Sequence, residues 1–426
     1  MLEPFRTRKI AAILVLGFSS GLPLYLTGRT LQAWLTVEGV NLTAIGFFGL
    51  ISLPYSLKFL WSPVIDRFSF PFLGRRKGWL LVTQLALTVA FAAMALERPA
   101  RALNLVALNV LLIAFFSATQ DITVDAYRAD IFDVDEMGAG AGAYGFGYRM
   151  GMLTAGAGAL MLADSISWPN VYLVLAALMT TLLIVSTRVP EPAQNVKPPV
   201  SMREAVRMPF VEFFDRTGNG RGACILAFIV LYRLGDGMIN NMTTSFLLQT
   251  GFSQTDVGVV QGGMGIFALA AGVIVGGGVT SRIGINRALW VFGVLQAASN
   301  FAYLLLATVG RNYPVMVAAI NIEQFCTGLG TATLIAFLTS LCNPRFSATQ
   351  YALLSSMMAV GRDVLAAPSG SIAQFTGWPL FFWISVVAAV PGMALLPFFA
   401  PWSSSRAAYS EFPSKPRAPK PRGQSY

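Results

Sequence analysis

Twelve long apolar runs, each near the length of a bilayer-spanning helix, occupy most of this 426-residue chain. They lie at roughly 10–35, 42–62, 79–97, 102–128, 140–163 and 168–187, and again at 222–249, 255–280, 287–308, 313–342, 346–375 and 378–399. A spanning helix needs about 20 apolar residues, because nothing in the hydrocarbon can satisfy its backbone except the helix itself. Only 12% of the residues are charged, about half the share of a soluble domain. Mean hydropathy is +0.62. A disordered chain, a nucleic-acid-binding domain and an ordinary soluble enzyme are thereby excluded. The expectation is an all-α membrane protein of twelve transmembrane helices.

Charge fixes the expected topology. With the N-terminus placed inside, 21 of the 30 Lys and Arg residues fall on inside segments; three, Arg98, Arg101 and Arg311, fall outside. The positive-inside rule then puts both termini and the central linker in the cytoplasm. It also reads the net charge of +10 as loop charge rather than a nucleic-acid footprint. The first run follows Arg6, Arg8 and Lys9 but is too long for a cleaved leader, so it is expected to stay as the first helix.

The chain also repeats. Thr43-Ala-Ile-Gly46 opens the second run and Thr255-Asp-Val-Gly258 opens the eighth, 212 residues later. The basic loops after these runs place Gly74 and Gly284 at an offset of 210. The organisation expected is a six-helix half at 1–187, a cytoplasmic linker at 188–221, a second half at 222–400 and a disordered basic tail at 401–426. A duplicated six-plus-six bundle with pseudo-two-fold symmetry is a transporter architecture.

Catalytic and metal chemistry find little support. The chain has no histidine, which removes His-based triads, metal sites and proton relays. Cys224, Cys326 and Cys342 lack CxxC spacing and read as small buried hydrophobes. No nucleotide-binding loop follows the glycine-rich runs, which read instead as close-packing helix faces. No cofactor or metal is expected, and any proton chemistry must use carboxylates.

Six blocks point to a family: GLPLYLTGRTLQAWL, LPYSLKFLWSPVIDR, LGRRKGW, SATQDITVDAYR, LYRLGDG and NPRFSATQYALLSSMMAVGR, spread over residues 17–362. The DR…GRRKG loop resembles the basic loop of the major facilitator superfamily, and the six blocks in order resemble the AmpG muropeptide permease family. The resemblance implies a monomeric bacterial inner-membrane permease that imports anhydro-muropeptides with protons for cell-wall recycling. A carrier of another amphipathic anion, such as acetyl-CoA, is the alternative.

Ionisable residues within spans cost about 2.5–3.5 kcal/mol or more at mid-bilayer and are functional candidates by default. Asp121, Asp125 and Arg128 share one face of the fourth helix, with Lys58 at similar depth on the second. A Lys–Asp pair that opens and closes is a workable proton switch. Asp66, Arg67, Arg75, Arg76 and Asp130 form an expected cytoplasmic latch. Arg149, Arg233 and Arg362 lie at mid-depth and suit a substrate bearing carboxylates, since a guanidinium grips a carboxylate through two bonds. Asp363, about 100° round the helix from Arg362, is expected to point away from the cavity. Asp236, Glu323, Tyr25, Gln32 and Asn240 complete the expected substrate site, the aromatic and amide groups suiting a sugar.

Overall fold

The computed structural model describes residues 8–68, 70, 74–132, 137–191, 212–342 and 347–402. These residues are helical almost throughout. Among the described residues, ten helices are long and apolar enough to cross a membrane: α1 Arg8–Val37, α2 Leu42–Leu60, α3 Arg75–Met94, α4 Leu103–Arg128, α6 Trp168–Ser186, α7 Asn219–Gln249, α8 Gln254–Ile283, α9 Ile285–Val309, α10 Tyr313–Leu341 and α12 Trp378–Phe399. The expected fifth and eleventh spans are helical too, but are not among these ten. One is α5, 137–163, whose glycines dilute its apolar character. The other is α11, Ser347–Ala366 continued by Ser369–Thr376, which carries Arg362 and Asp363 and breaks at Pro368.

Local chemistry explains the ends and breaks. Gly74 and Gly284, at φ +81 and +86, turn the chain into α3 and α9, a conformation that costs glycine nothing. Both α6 and α12 begin Trp-Pro, at Trp168 and Trp378, where a proline loses no hydrogen bond. These two starts are again 210 residues apart. α7 is interrupted at Tyr232–Arg233, and α1, α5 and α8 each widen into a π-helical segment at Leu26–Thr30, Thr154–Gly158 and Gly258–Met264.

Helices α1–α6 pack mainly against one another, as do α7–α12. Gly17 and Gly21 of α1 sit on the backbone of Tyr144 and Tyr148 of α5, while Gly147 and Gly151 of α5 sit on Leu14 and Phe18 of α1. A β-carbon at these positions would collide with backbone, so the expected close-packing role of the glycine run is met by geometry. The outer surface is apolar, with Leu105, Phe267, Ile274 and Phe375 exposed, as a lipid-facing surface must be. The three cysteines are free.

Contacts between the two halves gather at one end, the end holding the loops at 38–41, 164–167, 250–253 and 377. There α1 meets α7, α2 meets α11 and α5 meets α8. Thr36 bonds Ser245 at 2.8 Å, and Asn241 donates to the Gly46 carbonyl at 3.0 Å. Gly46 and Gly370 bring α2 and α11 into backbone contact. The opposite end carries the first and last described residues, Arg8 and Trp402, and the start of the central linker at Glu191.

Candidate transport site

On the termini side of these junctions lies a cavity of about 660 Å³ between the halves. Seven of the eight residues expected to hold substrate line it: Tyr25, Gln32, Arg149, Arg233, Asp236, Asn240 and Arg362. Glu323 does not. It is buried behind the wall, where Gln324 donates to Oε2 at 2.8 Å and Thr327 to Oε1 at 2.9 Å. Gln324 and Thr327 themselves line the cavity. Adjacent helix positions differ by about 100°, which separates Glu323 from the face its neighbour presents.

Asp363 overturns its expectation, for it lines the cavity together with Arg362. Its carboxylate curls back to accept from Arg362 Nε at 2.9 Å and Nη2 at 2.7 Å. The long Arg362 side chain bridges the angular gap that the two α-carbons impose. Arg233 is likewise paired, to Asp236 Oδ2 at 3.2 Å, and donates to Thr331 at 3.0 Å. Arg149 lines the cavity with no hydrogen-bond or ion-pair partner among the described residues.

Arg29 also lines the cavity; it is a charge within the first run, as Arg149, Arg233 and Arg362 are in theirs, but it was not among the expected site residues. Its guanidinium crosses from α1 to the second half. Nη1 donates to the Gln261 carbonyl at 3.1 Å, and Nη2 lies 3.4 Å from Asn240 Oδ1. Its Cζ stands 5.3 Å from the centre of the Tyr25 ring. Trp34, by contrast, is core, packed on Trp168 and Tyr172.

The α4 carboxylates separate by environment. Asp125 is half-exposed, 3.7 Å from Lys58 and 3.3 Å from Arg128. Lys58 therefore pairs with Asp125 rather than with Asp121. Asp121 is 7% exposed and its Oδ1 has no hydrogen-bond partner. Ser20 is its side-chain partner, and Tyr55, Tyr144 and Tyr148 are near enough to feel its charge. Tyr55 also lines the cavity.

At the termini end Asp130 accepts from Arg76 Nε at 2.8 Å and from Arg75 Nη2 at 3.4 Å. The side chains of Asp66 and Arg67 lie outside the described residues. Glu191, not foreseen from the sequence, joins this cluster: its two oxygens accept the backbone N–H groups of Arg76 at 2.9 Å and Lys77 at 2.8 Å. It caps α3 where the helix dipole favours a negative charge.

Paired halves around a central polar cavity, in a membrane bundle, define a secondary carrier rather than an enzyme. The Major Facilitator Superfamily model matches residues 10–362. The anhydromuropeptide permease of Escherichia coli is 45% identical over 397 residues, covering 93% of this chain and 80% of that protein. A Rickettsia conorii protein named putative transporter AmpG 4 is 32% identical over 402 residues, covering 92% and 96%. The chain thus belongs to the major facilitator superfamily and, within it, to the AmpG-type muropeptide permease family. Among solved structures, the nucleoside transporter NupG superposes with a TM-score of 0.70 at 16% identity, covering 91% of this chain and 99% of that one. A bacterial homologue of the lysosomal transporter Spinster, inward-facing and unoccupied, gives 0.66 at 14%, covering 96% of each. These two likenesses are of fold.

Proposed function

We propose that the chain imports anhydromuropeptides across the bacterial inner membrane by proton-coupled alternating access, as a monomer with both termini in the cytoplasm. The observation that carries this reading is the 660 Å³ cavity shared by both halves and lined by four arginines and two aspartates. Muropeptides are anionic at the peptide and polyhydroxylated at the sugar; the cavity offers guanidinium groups for the first and Tyr25, Gln32, Asn240 and Asn241 for the second. The 45% identity to a permease named for this substrate supports the same class. With the termini inside, the junctions at the loop end make this an inward-facing state.

Proton coupling is assigned to Asp121, with Asp125, Lys58 and Arg128 as the adjoining gate. Asp121 combines deep burial, a free oxygen and electrostatic coupling to Tyr55, which lines the cavity. An inward proton gains about 2.3 kcal/mol per 100 mV, enough to concentrate a dilute solute more than tenfold. The latch of Arg75, Arg76 and Asp130 holds the first half's inner face as a unit during rocking.

Uptake of labelled anhydromuropeptide into proteoliposomes, driven by an inward pH gradient, tests the reading. Accumulation that collapses with a protonophore and is competed by unlabelled muropeptide but not by acetyl-CoA is the expected result. Competition by acetyl-CoA with no muropeptide uptake overturns it.

A further inference from the structure

We propose that Arg29 is both the receptor for a substrate carboxylate and a clasp between the two halves, so that capturing the carboxylate releases the clasp; this rests on the muropeptide reading above. Of the four cavity arginines, Arg233 and Arg362 are neutralised by Asp236 and Asp363 on their own helices. Among the described residues, Arg29 is bonded only to neutral acceptors, a main-chain carbonyl and an amide oxygen. Glu323 acts on it through space, but that carboxylate already has Gln324 and Thr327 as partners. The cavity is therefore polarised: the second half contributes closed ion pairs, and the first half contributes Arg29 and Arg149 with unspent charge, of which Arg29 is the one that also bonds across to the second half.

The clasp has a structural cause. In a π-helical segment the wider turn leaves carbonyl groups short of their usual i→i−4 partner. Three such segments meet here. Thr30 of α1 donates to the Ala155 carbonyl in the α5 segment at 2.5 Å, and Arg29 donates to the Gln261 carbonyl in the α8 segment. The first bond stays within one half; the second crosses to the other. The Asn240 contact, at 3.4 Å, is long and the first to yield. A carboxylate offers a charged acceptor in place of a neutral one, and charge-assisted bonds are roughly twice as strong. Arg29 can therefore exchange Asn240 for substrate at a net gain, and that exchange removes a bond holding the halves together.

The test compares a peptide-bearing anhydromuropeptide with the same molecule amidated at its carboxylates, in proteoliposomes of wild type, Arg29→Gln, Arg29→Lys and Arg362→Gln. Wild type is expected to prefer the charged form. Arg29→Gln is expected to lower uptake of the charged form about tenfold while changing the amidated form less than about twofold, with Arg29→Lys between them because it keeps charge without the fork. Arg362→Gln should leave the preference for charge intact. Spin labels at positions 98 and 311, on opposite halves at the loop end, should move apart when the charged form binds, and not in Arg29→Gln. Equal loss of both substrates, or no separation on binding, overturns the proposal, and Arg29→Lys keeps the comparison available if the Gln variant does not reach the membrane. Wild type that takes up both forms equally overturns it while leaving the muropeptide reading standing; wild type that takes up neither overturns that reading itself.

Discussion

At Gly74 and Gly284 the two halves make the same turn, 210 residues apart and within a few degrees in φ, yet they anchor it with different chemistry. In the first half, Glu191 caps the N-terminus of α3 and Asp130 holds Arg75 and Arg76. In the second half, Arg287 Nε donates to the Trp402 carbonyl at 3.4 Å, and Trp290 donates to the Ala400 carbonyl at 3.1 Å. The segment after the last helix of each half folds back onto that half's basic turn, through carboxylates in one and main-chain oxygens in the other. The buried acids differ as well. Asp121 of the first half has a free oxygen, Glu323 of the second has both oxygens bonded, and Asp363 of the second has one oxygen on Arg362 and one free. The backbone plan repeats, and the groups that anchor it do not.

The largest effect should come from the buried acids. Asp121→Asn is expected to reduce pH-driven uptake at least about tenfold, within the range of coupling energies between sites, while the protein still reaches the membrane. Glu323→Gln should retain most of the pH-driven rate, because its carboxyl is held by neutral hydrogen bonds away from the cavity. Initial rates with and without a pH gradient check both. Equal loss in the two variants erases the distinction between the halves.

Next is the turn itself. Glu191→Gln replaces two charge-assisted bonds to the start of α3 by at best one neutral acceptor, and should cost about 1.5–3 kcal/mol. Arg287→Gln should cost no more than about 0.5 kcal/mol, as for a surface substitution. Thermal unfolding in detergent, followed by size-exclusion fluorescence, ranks the two. A larger shift for Arg287→Gln would show that main-chain anchoring carries the second half's turn as firmly as charge carries the first.

The repeat also shaped the closed end. Thr43 and Thr255, 212 apart, each open a helix and each receive an acceptor from the opposite half. Gln374 Oε1 takes the Thr43 N–H at 3.1 Å and its hydroxyl at 3.0 Å. Asp164 Oδ2 takes the Thr255 N–H at 2.7 Å, and Oδ1 takes Gln254 Nε2 at 3.2 Å. Asp164 and Gln374 are themselves 210 apart. A carboxylate at a helix N-terminus gains from the dipole as an amide does not. Asp164→Ala should therefore shift the population toward opening of this end by about 1 kcal/mol, roughly fivefold, and Gln374→Ala by about half that energy. Labels on opposite halves at this end report the shift by distance, and added salt should shrink the Asp164 effect alone.

These junctions mark the boundary of what the sequence made legible. Apolar runs, basic loops and the repeat were readable because membrane burial penalises polar residues so heavily that charge placement encodes topology. Arg149, Arg233 and Arg362 could be picked out because a charge in a span is costly. Glu191, Asp164 and Gln374 stand at helix ends among other polar residues, where most are merely solvated, so nothing in their spacing distinguishes them. Glu323 and Asp363 went astray for a different reason. One helical position, or the reach of a long side chain, decides whether a mid-span acid faces a cavity, and periodicity does not resolve either.

The smallest effect belongs to Glu97, just beyond α3, for which the second half has Gly310 at φ +81 instead of a carboxylate. Asn109 donates to Glu97 Oε1 at 3.0 Å and also to the Ala90 carbonyl at 3.1 Å, while Oε2 is buried without a partner. Partial burial pushes the carboxyl above its ordinary pKa, and the Asn109 bond offsets only part of that. A folded-state value above the unfolded one means that the neutral form suits the fold. The stabilisation is therefore complete below the ordinary glutamate pKa and is lost as pH rises through the folded value. At neutral pH the ionised Glu97 is a net cost, reinforced by its place at a helix C-terminus. Glu97→Gln keeps an acceptor for Asn109 and removes the charge. It should raise the unfolding temperature slightly at pH 7.5 and leave it unchanged near pH 4. The opposite order, a loss at pH 7.5, would mean that the ionised carboxylate holds this turn, and would place Glu97 with Glu191 and Asp164 among the charges that organise the first half.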